Sequence, residues 1–174
     1  KSSKTSRISR NINGSIPKLT DPTSNGGGLA HCEGLVEGNL IFSNSSQFGG
    51  GGAFGLSGTI QNNIFHHNES KIGGGIGVCS GLVRNNTFYG NSTIVPGNFR
   101  SEGGGIAYCG YGAVIQSNIL WNNQADLGSQ IYESNEPTYC LIQDWSGDGV
   151  GNISSDPRFV NMGGNDFRLA PDSP

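Results

Sequence analysis

The polar and apolar positions of this chain recur with a long period. Four segments begin with three glycines and continue with short apolar runs that asparagines interrupt: GGGLAHCEGLVEGNLIFSN (26–44), GGGAFGLSGTIQNNIFHHN (50–68), GGGIGVCSGLVRNNTFYGN (73–91) and GGGIAYCGYGAVIQSNILWNN (103–123). The first three align without a gap, with a step of 24 residues from Asn39 to Asn63 and of 23 residues from Asn63 to Asn86. A repeat of this length is typical of solenoid proteins, in which each repeat packs only against its neighbours.

Aligning the segments places their apolar residues in two columns. One column holds Val36, Ile60, Val83 and Ile115, and the other holds Ile41, Phe65, Phe88 and Leu120. The runs are short and lack the i, i+3, i+4 spacing of a helix, so each segment predicts two or three strands separated by turns. Coils stacked about 4.8 Å apart would bury both columns. We therefore predict an all-β, right-handed parallel β-helix of about five coils, with these eight residues pointing inward.

The repeat also predicts how the chain is divided. Residues 26–145 contain the coils, and residues 146–174 are predicted to form a loop-rich C-terminal cap. Residues 1–25 have no triple glycine and are rich in Ser, Lys and Arg, so they are predicted to be an N-terminal arm or cap. Within them, Ile8, Ile12 and Ile16 are candidate anchors, either on the first coil of this chain or on a neighbouring copy.

Asparagines form two further columns. The first holds Asn39, Asn63, Asn86 and Asn118, and the second holds Asn44, Asn68, Asn91 and Asn123. Because Asn tolerates the left-handed backbone of a corner, and stacked amides can hydrogen-bond to one another, we predict two internal ladders that turn the chain and join the coils.

Some of these asparagines also fit the N-glycosylation sequon. Internal ladder residues could not carry glycans, so we attribute the N-x-[ST] pattern at Asn44, Asn68 and Asn91 to the residue preferences of turns. The remaining sequons are at Asn13, Asn85 and Asn152.

Bulk composition narrows the classes of function. The chain is 33% hydrophobic and 13% charged with 30 glycines, which favours a turn-rich fold over collagen or a charged disordered chain. A net charge of −3 and a pI near 5.5 predict no nucleic-acid partner. Apolar runs such as Leu40–Phe42 are too short to span a membrane, and no signal peptide precedes Lys1, as expected of a mature chain or an excised domain. Abundant Asn, Ser and Gly and an even number of cysteines favour an extracellular or cell-surface location.

Three of the four cysteines share one place in the repeat. Cys32, Cys79 and Cys109 are the seventh residues of their segments, where the second segment has Leu56, so we predict a buried slot for a small apolar side chain. Cys32 and Cys79 would be two coils apart, about 9–10 Å, which is too far for a disulfide. Cys79 and Cys109 would be adjacent, which allows a disulfide, but we expect free thiols. No cysteine has zinc-ligand spacing.

Two motifs resemble known β-helix families. Gly51-Gly52-Ala53 with Phe65-His66-His67-Asn68, and the corresponding residues 74–76 and 88–91, resemble the repeats of chlamydial polymorphic outer-membrane proteins and related bacterial surface β-helices, over about residues 26–123. The tail, with Asp156–Phe159 and Gly164–Pro171, resembles the end of secreted pectate-lyase-like β-helix domains with cell-surface anchors. These resemblances imply a secreted or surface-displayed right-handed β-helix that is often adhesive.

The coils lack the residue groupings that polysaccharide cleavage requires. Glycoside hydrolysis needs two carboxylates facing one sugar, and a lyase usually needs a calcium cage with a basic residue. The coil acids stand in different columns: Glu33, Glu37, Glu69, Glu102 and Asp126. Lys71, Arg84 and Arg100 have no acidic cluster at a matching coil position. We predict no catalytic, cofactor-binding or metal-binding residues.

Two local motifs have a structural and a chemical interpretation. His66 and His67 are candidate bases or metal ligands, but neighbouring strand residues point to opposite faces, so we expect both to face solvent and not to share a site. The segment 144–148 (DWSGD) lacks the remaining oxygen ligands of a calcium loop and is predicted to be a turn that leaves the last coil.

One aromatic column follows the buried one. Phe42, His66, Tyr89 and Trp121 come directly after the inward residues of their segments, so strand alternation predicts that they point outward. Two interpretations remain open: a sugar-binding or assembly face, or rings that only cover neighbouring strands.

We predict a non-catalytic extracellular structural or surface β-helix protein that acts by adhesion or by self-assembly into a filament or matrix. The expected partners are further copies of the chain, bound through open coil ends or through residues 1–25, because unpaired strand edges can template another chain. A polysaccharide is a second candidate partner. The alternative function is a carbohydrate-active β-helix enzyme or polysaccharide-binding module, which would place several acids or Lys and Arg on one exposed sheet.

Overall fold

The computed structural model describes residues 7–9, 12–13, 26–94 and 100–174. The first strands along the chain are β1 (Arg7–Ser9), β2 (Ile12–Asn13), β3 (Leu29–Ala30), β4 (Leu35–Glu37), β5 (Leu40–Phe42), β6 (Ser45–Ser46), β7 (Ala53–Leu56), β8 (Thr59–Gln61), β9 (Ile64–His66) and β10 (Glu69–Ser70). They are followed by β11 (Ile76–Cys79), β12 (Leu82–Arg84), β13 (Thr87–Tyr89), β14 (Ser92–Thr93), β15 (Ile106–Ala107), β16 (Val114–Gln116), β17 (Ile119–Trp121), β18 (Ile131–Tyr132), β19 (Leu141–Ile142), β20 (Phe159–Asn161), a 3₁₀ turn (Met162–Gly164) and β21 (Asp166–Leu169).

The strands stack as a parallel β-solenoid of about five turns, which confirms the predicted all-β fold class. Sheet A has the order β1-β5-β9-β13-β17-β19, and sheet B has the order β14-β10-β6-β2. Sheet C has the order β18-β15-β11-β7-β3, and sheet D has the order β16-β12-β8-β4. Each of the four repeats therefore visits sheets C, D and A in that order, and the first three continue into sheet B.

The predicted core columns are confirmed residue by residue. Val83 pairs with Ile60 and Ile115, and Phe88 pairs with Phe65 and Leu120, in the register that the alignment gives. All eight predicted core residues are buried. Within the stack the rings of Phe65 and Phe88 lie parallel, with centroids 5.0 Å apart.

The triple glycines are explained by the spacing between coils. A Cβ atom on Gly51 would lie 2.5 Å from the carbonyl oxygen of Gly74, and one on Gly52 would lie 2.6 Å from that of Gly75. These neighbours are backbone atoms, which cannot move without separating the coils. Glycine is therefore required where the backbones of successive coils approach most closely.

Two short pieces of the predicted N-terminal arm pair with the first coil of the same chain. β1 lies parallel to β5 with Ile8 opposite Ile41, and β2 lies parallel to β6 with Ile12 opposite Ser45. These five residues therefore match the interpretation in which the arm caps its own coil. Ile16 and the rest of residues 1–25 lie outside the described residues.

The C-terminal segment first closes the last coil and then turns back along the solenoid. Ile153 donates to the carbonyl of Cys140 and accepts from the amide of Ile142, both at 2.9 Å. Asp144 has a left-handed backbone (φ 52°), and the indole of Trp145 donates to the Asp148 carbonyl at 3.2 Å, so the DWSGD segment forms a turn, as predicted. Beyond this turn, β20 and β21 form an antiparallel hairpin.

Candidate functional site

The second asparagine column forms a continuous buried ladder. Asn68 Nδ2 donates to Asn91 Oδ1 at 2.9 Å, and Asn91 Nδ2 donates to Asn123 Oδ1 at 2.9 Å. Each amide also donates to a carbonyl of the preceding coil; Asn91, for example, donates to Phe65 O at 2.9 Å. The same Oδ1 of Asn91 accepts the backbone N–H of Asn68 at 3.1 Å. These bonds satisfy buried polar groups of three successive coils, so the amides join the coils as predicted.

The first column forms the matching ladder. Asn39, Asn63 and Asn86 donate in sequence to the Oδ1 atoms of Asn63, Asn86 and Asn118, at 3.0, 3.1 and 3.0 Å. Both predicted stacks are therefore present.

Different residue types terminate the two ladders. Cys140 takes the next place after Asn118, whose backbone N–H lies 3.3 Å from the sulfur. Burial raises the pKa of the Cys140 thiol, so it stays protonated at neutral pH. Asn152 continues the first ladder, because its side-chain oxygen accepts from the Cys140 N–H at 3.0 Å. The second ladder ends at Gln130, whose Oε1 accepts from Asn123 at 2.7 Å. These terminators are not predictable from the alignment because the repeat has already broken down there.

One detail of the ladder prediction is wrong. The left-handed backbone at each corner belongs to the residue before the ladder asparagine, such as Asn62 and Asn85 on one corner and His67 and Gly90 on the next. The ladder asparagines are free of this role because their amides are committed to bonds between coils. One residue therefore makes the turn, and the asparagine next to it makes the hydrogen bonds between coils.

The buried ladder also explains three of the sequons. Asn44, Asn68 and Asn91 are at most 1% exposed. The hydroxyl residues two positions later are buried as well: Ser46, Ser70 and Thr93. The N-x-[ST] pattern therefore arises from a stack of amides beside a stack of hydroxyls. Asn85 is exposed, whereas the Asn152 amide donates to Pro137 O at 2.8 Å; the side chain of Asn13 lies outside the described part of the chain.

The aromatic column lies on the outside of sheet A, but the C-terminal hairpin covers its middle. Phe167 of β21 lies 5.2 Å from the His66 ring and 5.0 Å from the Tyr89 ring, between centroids. Phe159 of β20 meets Tyr89 edge-on at 6.0 Å. His66 is consequently buried, while Tyr89 and Trp121 are half-buried. The rings thus pack against a segment of their own chain. The sequence signal for this contact was two phenylalanines in the short apolar runs of the tail.

The expectation for the histidine pair is wrong for the solvent exposure of His66 and for the separation of the two side chains, whereas His67 is exposed as expected. His66 is 3% exposed, and its Nδ1 lies 2.9 Å from Nδ1 of His67. The two side chains meet because His67 has a left-handed backbone (φ 52°), so strand alternation does not apply at this corner. Burial, with a further contribution from His67, lowers the pKa of His66 to about 4. His66 is therefore neutral near neutral pH. Among the described residues, no third His, Cys, Asp or Glu joins them to make a metal site.

The expectation of free thiols at Cys79 and Cys109 is also wrong. The two residues form a disulfide with their Cα atoms 4.4 Å apart, whereas Cys32 is unpaired. Cys79 and Cys109 occupy the buried slot that the repeat predicts, and Cys32 is only partly buried. The bond joins the third and fourth coils across the long connection between them.

Charged residues on sheet D form a hydrogen-bonded row on the surface. Gln61 donates to Glu37 Oε1 at 2.6 Å and accepts from Arg84 Nε at 2.9 Å. Asp126, elsewhere on the stack, accepts from the backbone and hydroxyl of Ser101, which lowers the pKa of its carboxyl. These acids are thus engaged in contacts between coils.

Comparison with known proteins adds no relative. No protein-family model matches the chain, and no match was found among the curated proteins or the solved structures. In the described part of the chain, no helix combines the length and the apolar character that a membrane crossing needs.

Proposed function

We propose that this protein is a non-catalytic extracellular scaffold, a right-handed β-helix of the pectate-lyase-like kind, whose copies stack end to end. The observation that carries this proposal is the way sheet C ends. Its outermost strands are β3 and β18, and no described strand pairs with the far side of either. An unpaired edge of this kind is a template for another strand.

Sheet A is extended at both ends and sheet D at one, whereas no described residue pairs beyond β3 or β18 of sheet C. In sheet A, β1 covers β5 at one end and Ile153 bridges Leu141 of β19 at the other. In sheet D, Thr138 bridges Gln116 of β16. Sheet C therefore offers two complementary edges, and a second copy is the natural occupant because β3 already pairs in parallel with the equivalent strand β7. Such a head-to-tail contact generates an open filament.

Two further features support an extracellular scaffold. The Cys79–Cys109 disulfide is typical of proteins that fold in an oxidising compartment. The amide ladders tie each coil to both neighbours, which suits a stiff rod.

Cross-linking at the edges of sheet C tests the stacking. Tyr132 pairs with Ala107, and Ala30 pairs with Phe54, so Ala30 of the next copy would lie opposite Tyr132. The test variant is Ala30→Cys with Tyr132→Cys in a Cys32→Ser background, treated with a short bis-maleimide. The control pairs Ala30→Cys with Val114→Cys, since Val114 is exposed on sheet D and away from this edge.

We expect a ladder of covalent multimers from the Ala30/Tyr132 pair and dimers at most from the control. Sedimentation of the unmodified chain at tens of micromolar, an ordinary range for association, should show species larger than the monomer. A monomer under these conditions, together with equal cross-linking of test and control variants, would contradict the proposal.

A further inference from the structure

The fourth coil departs from the repeat at a tight turn. Gly110-Tyr111-Gly112 supplies the extra length of this segment, and the turn is closed by a 2.9 Å bond from Ala113 N–H to Gly110 O, with Gly112 left-handed (φ 79°). The Tyr111 side chain is 100% exposed. No packing in the described structure accounts for a fully exposed ring held on a glycine-flanked turn.

A cleft of about 440 Å³ lies beside Tyr111. Leu56, Val78 and the Cys79 half of the disulfide line its apolar part, and Ser80 and Glu133 supply polar groups. Its size is that of a site for a small ligand.

Tyr108 forms a second aromatic wall that is fixed in place. Its hydroxyl donates to Glu102 Oε2 at 2.6 Å, and Tyr132 meets its ring edge-on with centroids 5.7 Å apart. A ring held at its hydroxyl loses little conformational freedom when a ligand packs on it. The cleft therefore combines one fixed tyrosine, one exposed tyrosine and nearby carboxylates.

We infer that this cleft binds a neutral, β-linked glucan chain. Aromatic faces pack against the C–H faces of a sugar ring whose hydroxyls are equatorial, while Glu133 and Ser80 can accept bonds from those hydroxyls. No Lys, Arg or His lines the cleft within the described residues, and the Glu133 carboxylate repels acidic sugars. This inference goes beyond the proposed scaffold role and does not depend on stacking.

Isothermal titration calorimetry on the full chain tests the site with three probes: cellohexaose, an oligogalacturonate of similar length and a proline-rich peptide. We expect binding of cellohexaose alone. Tyr111→Ala should weaken it at least about tenfold, as removal of a central aromatic contact does. Tyr108→Phe keeps the ring and should weaken it less.

The matched control is Tyr139→Ala, because Tyr139 is 60% exposed at another corner of the stack. Thermal unfolding should show that all variants remain folded, since Tyr111 makes no packing contact to lose. Absence of cellohexaose binding, preference for the galacturonate or the peptide, or an equal loss in Tyr139→Ala and Tyr111→Ala would each overturn the inference. None of these results bears on the cross-linking test of stacking.

Discussion

Two adjacent residues of β13 belong to regions that are stabilised in different ways. Phe88 points into the solenoid and stacks on Phe65, its equivalent one coil away. Tyr89 points outward and packs against Phe159 and Phe167 of the C-terminal hairpin. The interior is held by contacts between equivalent residues of neighbouring coils, whereas the outer face depends on one distant segment. A substitution inside the solenoid should therefore lower the free energy of unfolding strongly. A substitution on the outer face should lower it by no more than the free energy with which the hairpin docks.

The largest contrast is expected between Phe88→Ala and Tyr89→Ala. Removing the buried ring leaves a cavity between coils and should lower the free energy of unfolding by about 3–5 kcal/mol. Tyr89 is half-buried, and its loss should cost less than about 2 kcal/mol. Urea denaturation of both variants measures the difference. Equal losses would show that the hairpin is as integral to stability as the core.

The second ladder should be almost as sensitive as the core. Asn91→Ala removes the acceptor of the Asn68 backbone N–H and of one Asn68 Nδ2 hydrogen, which leaves both donors buried and unpaired. We expect a loss of about 3 kcal/mol, from about 1–3 kcal/mol for each orphaned group.

The control for the ladder is Asn85→Gly. Asn85 is exposed with a left-handed backbone (φ 54°), which glycine keeps, so the change should stay within about 0.5 kcal/mol. If Asn91→Ala were equally mild in urea denaturation, the ladder would hold the chain's geometry without contributing to its stability.

The sequence predicts the interior well because stacking forces equivalent residues into register. Ile60, Val83 and the ladder asparagines could be placed from their period alone. The outer face has no such period: nothing in the spacing of Phe159 and Phe167 specifies that they return to His66 and Tyr89. The prediction that the two histidine side chains stay apart failed for a local reason, since strand alternation ends at the left-handed backbone of His67.

The disulfide shows a different limit of the sequence. The alignment places Cys79 beside Cys109 but leaves their oxidation state open. The Tyr111 turn likewise reads only as an interruption of the repeat, and the cleft beside it depends on how residues from several coils come together in space.

Acid should loosen the outer face before the interior. The pKa of His66 is lowered from 6.5 to about 4 in the folded chain, so between these values the unfolded chain binds a proton that the folded chain does not. The free energy of unfolding should therefore fall as pH drops from about 6.5 to 4, by at most about 1.4 kcal/mol per pH unit from this group. Arg168 holds the pKa of Asp166 at about 2, so this carboxyl contributes to the pH dependence of stability only below this pH range.

Two variants isolate the contribution of His66 to the pH dependence. His66→Phe copies Phe42, the equivalent residue of the first coil, and should remove the His66 part of the slope. Phe167→Ala exposes His66, which should raise its pKa toward 6.5 and flatten the same slope, at a cost of about 2 kcal/mol at neutral pH. Urea denaturation at several pH values measures both effects. An unchanged slope in His66→Phe would assign the acid sensitivity to other groups.

The smallest expected effect is a gain in stability at an exposed corner of sheet C. Val78 has a left-handed backbone (φ 59°), at the corner where the second coil has Gly55 with φ 67°. A β-branched residue in this conformation is strained by about 1–2 kcal/mol. Glycine removes the strain but raises the entropy of the unfolded chain, so Val78→Gly should stabilise the protein by about 0.5–1 kcal/mol.

The control Val114→Gly changes an exposed valine of the extended strand β16 and should destabilise by about 1 kcal/mol. The strain at Val78 persists because the packing of the coils beneath it holds the backbone in this corner conformation. Equal destabilisation of the two variants in urea would show that the corner has relaxed to suit valine.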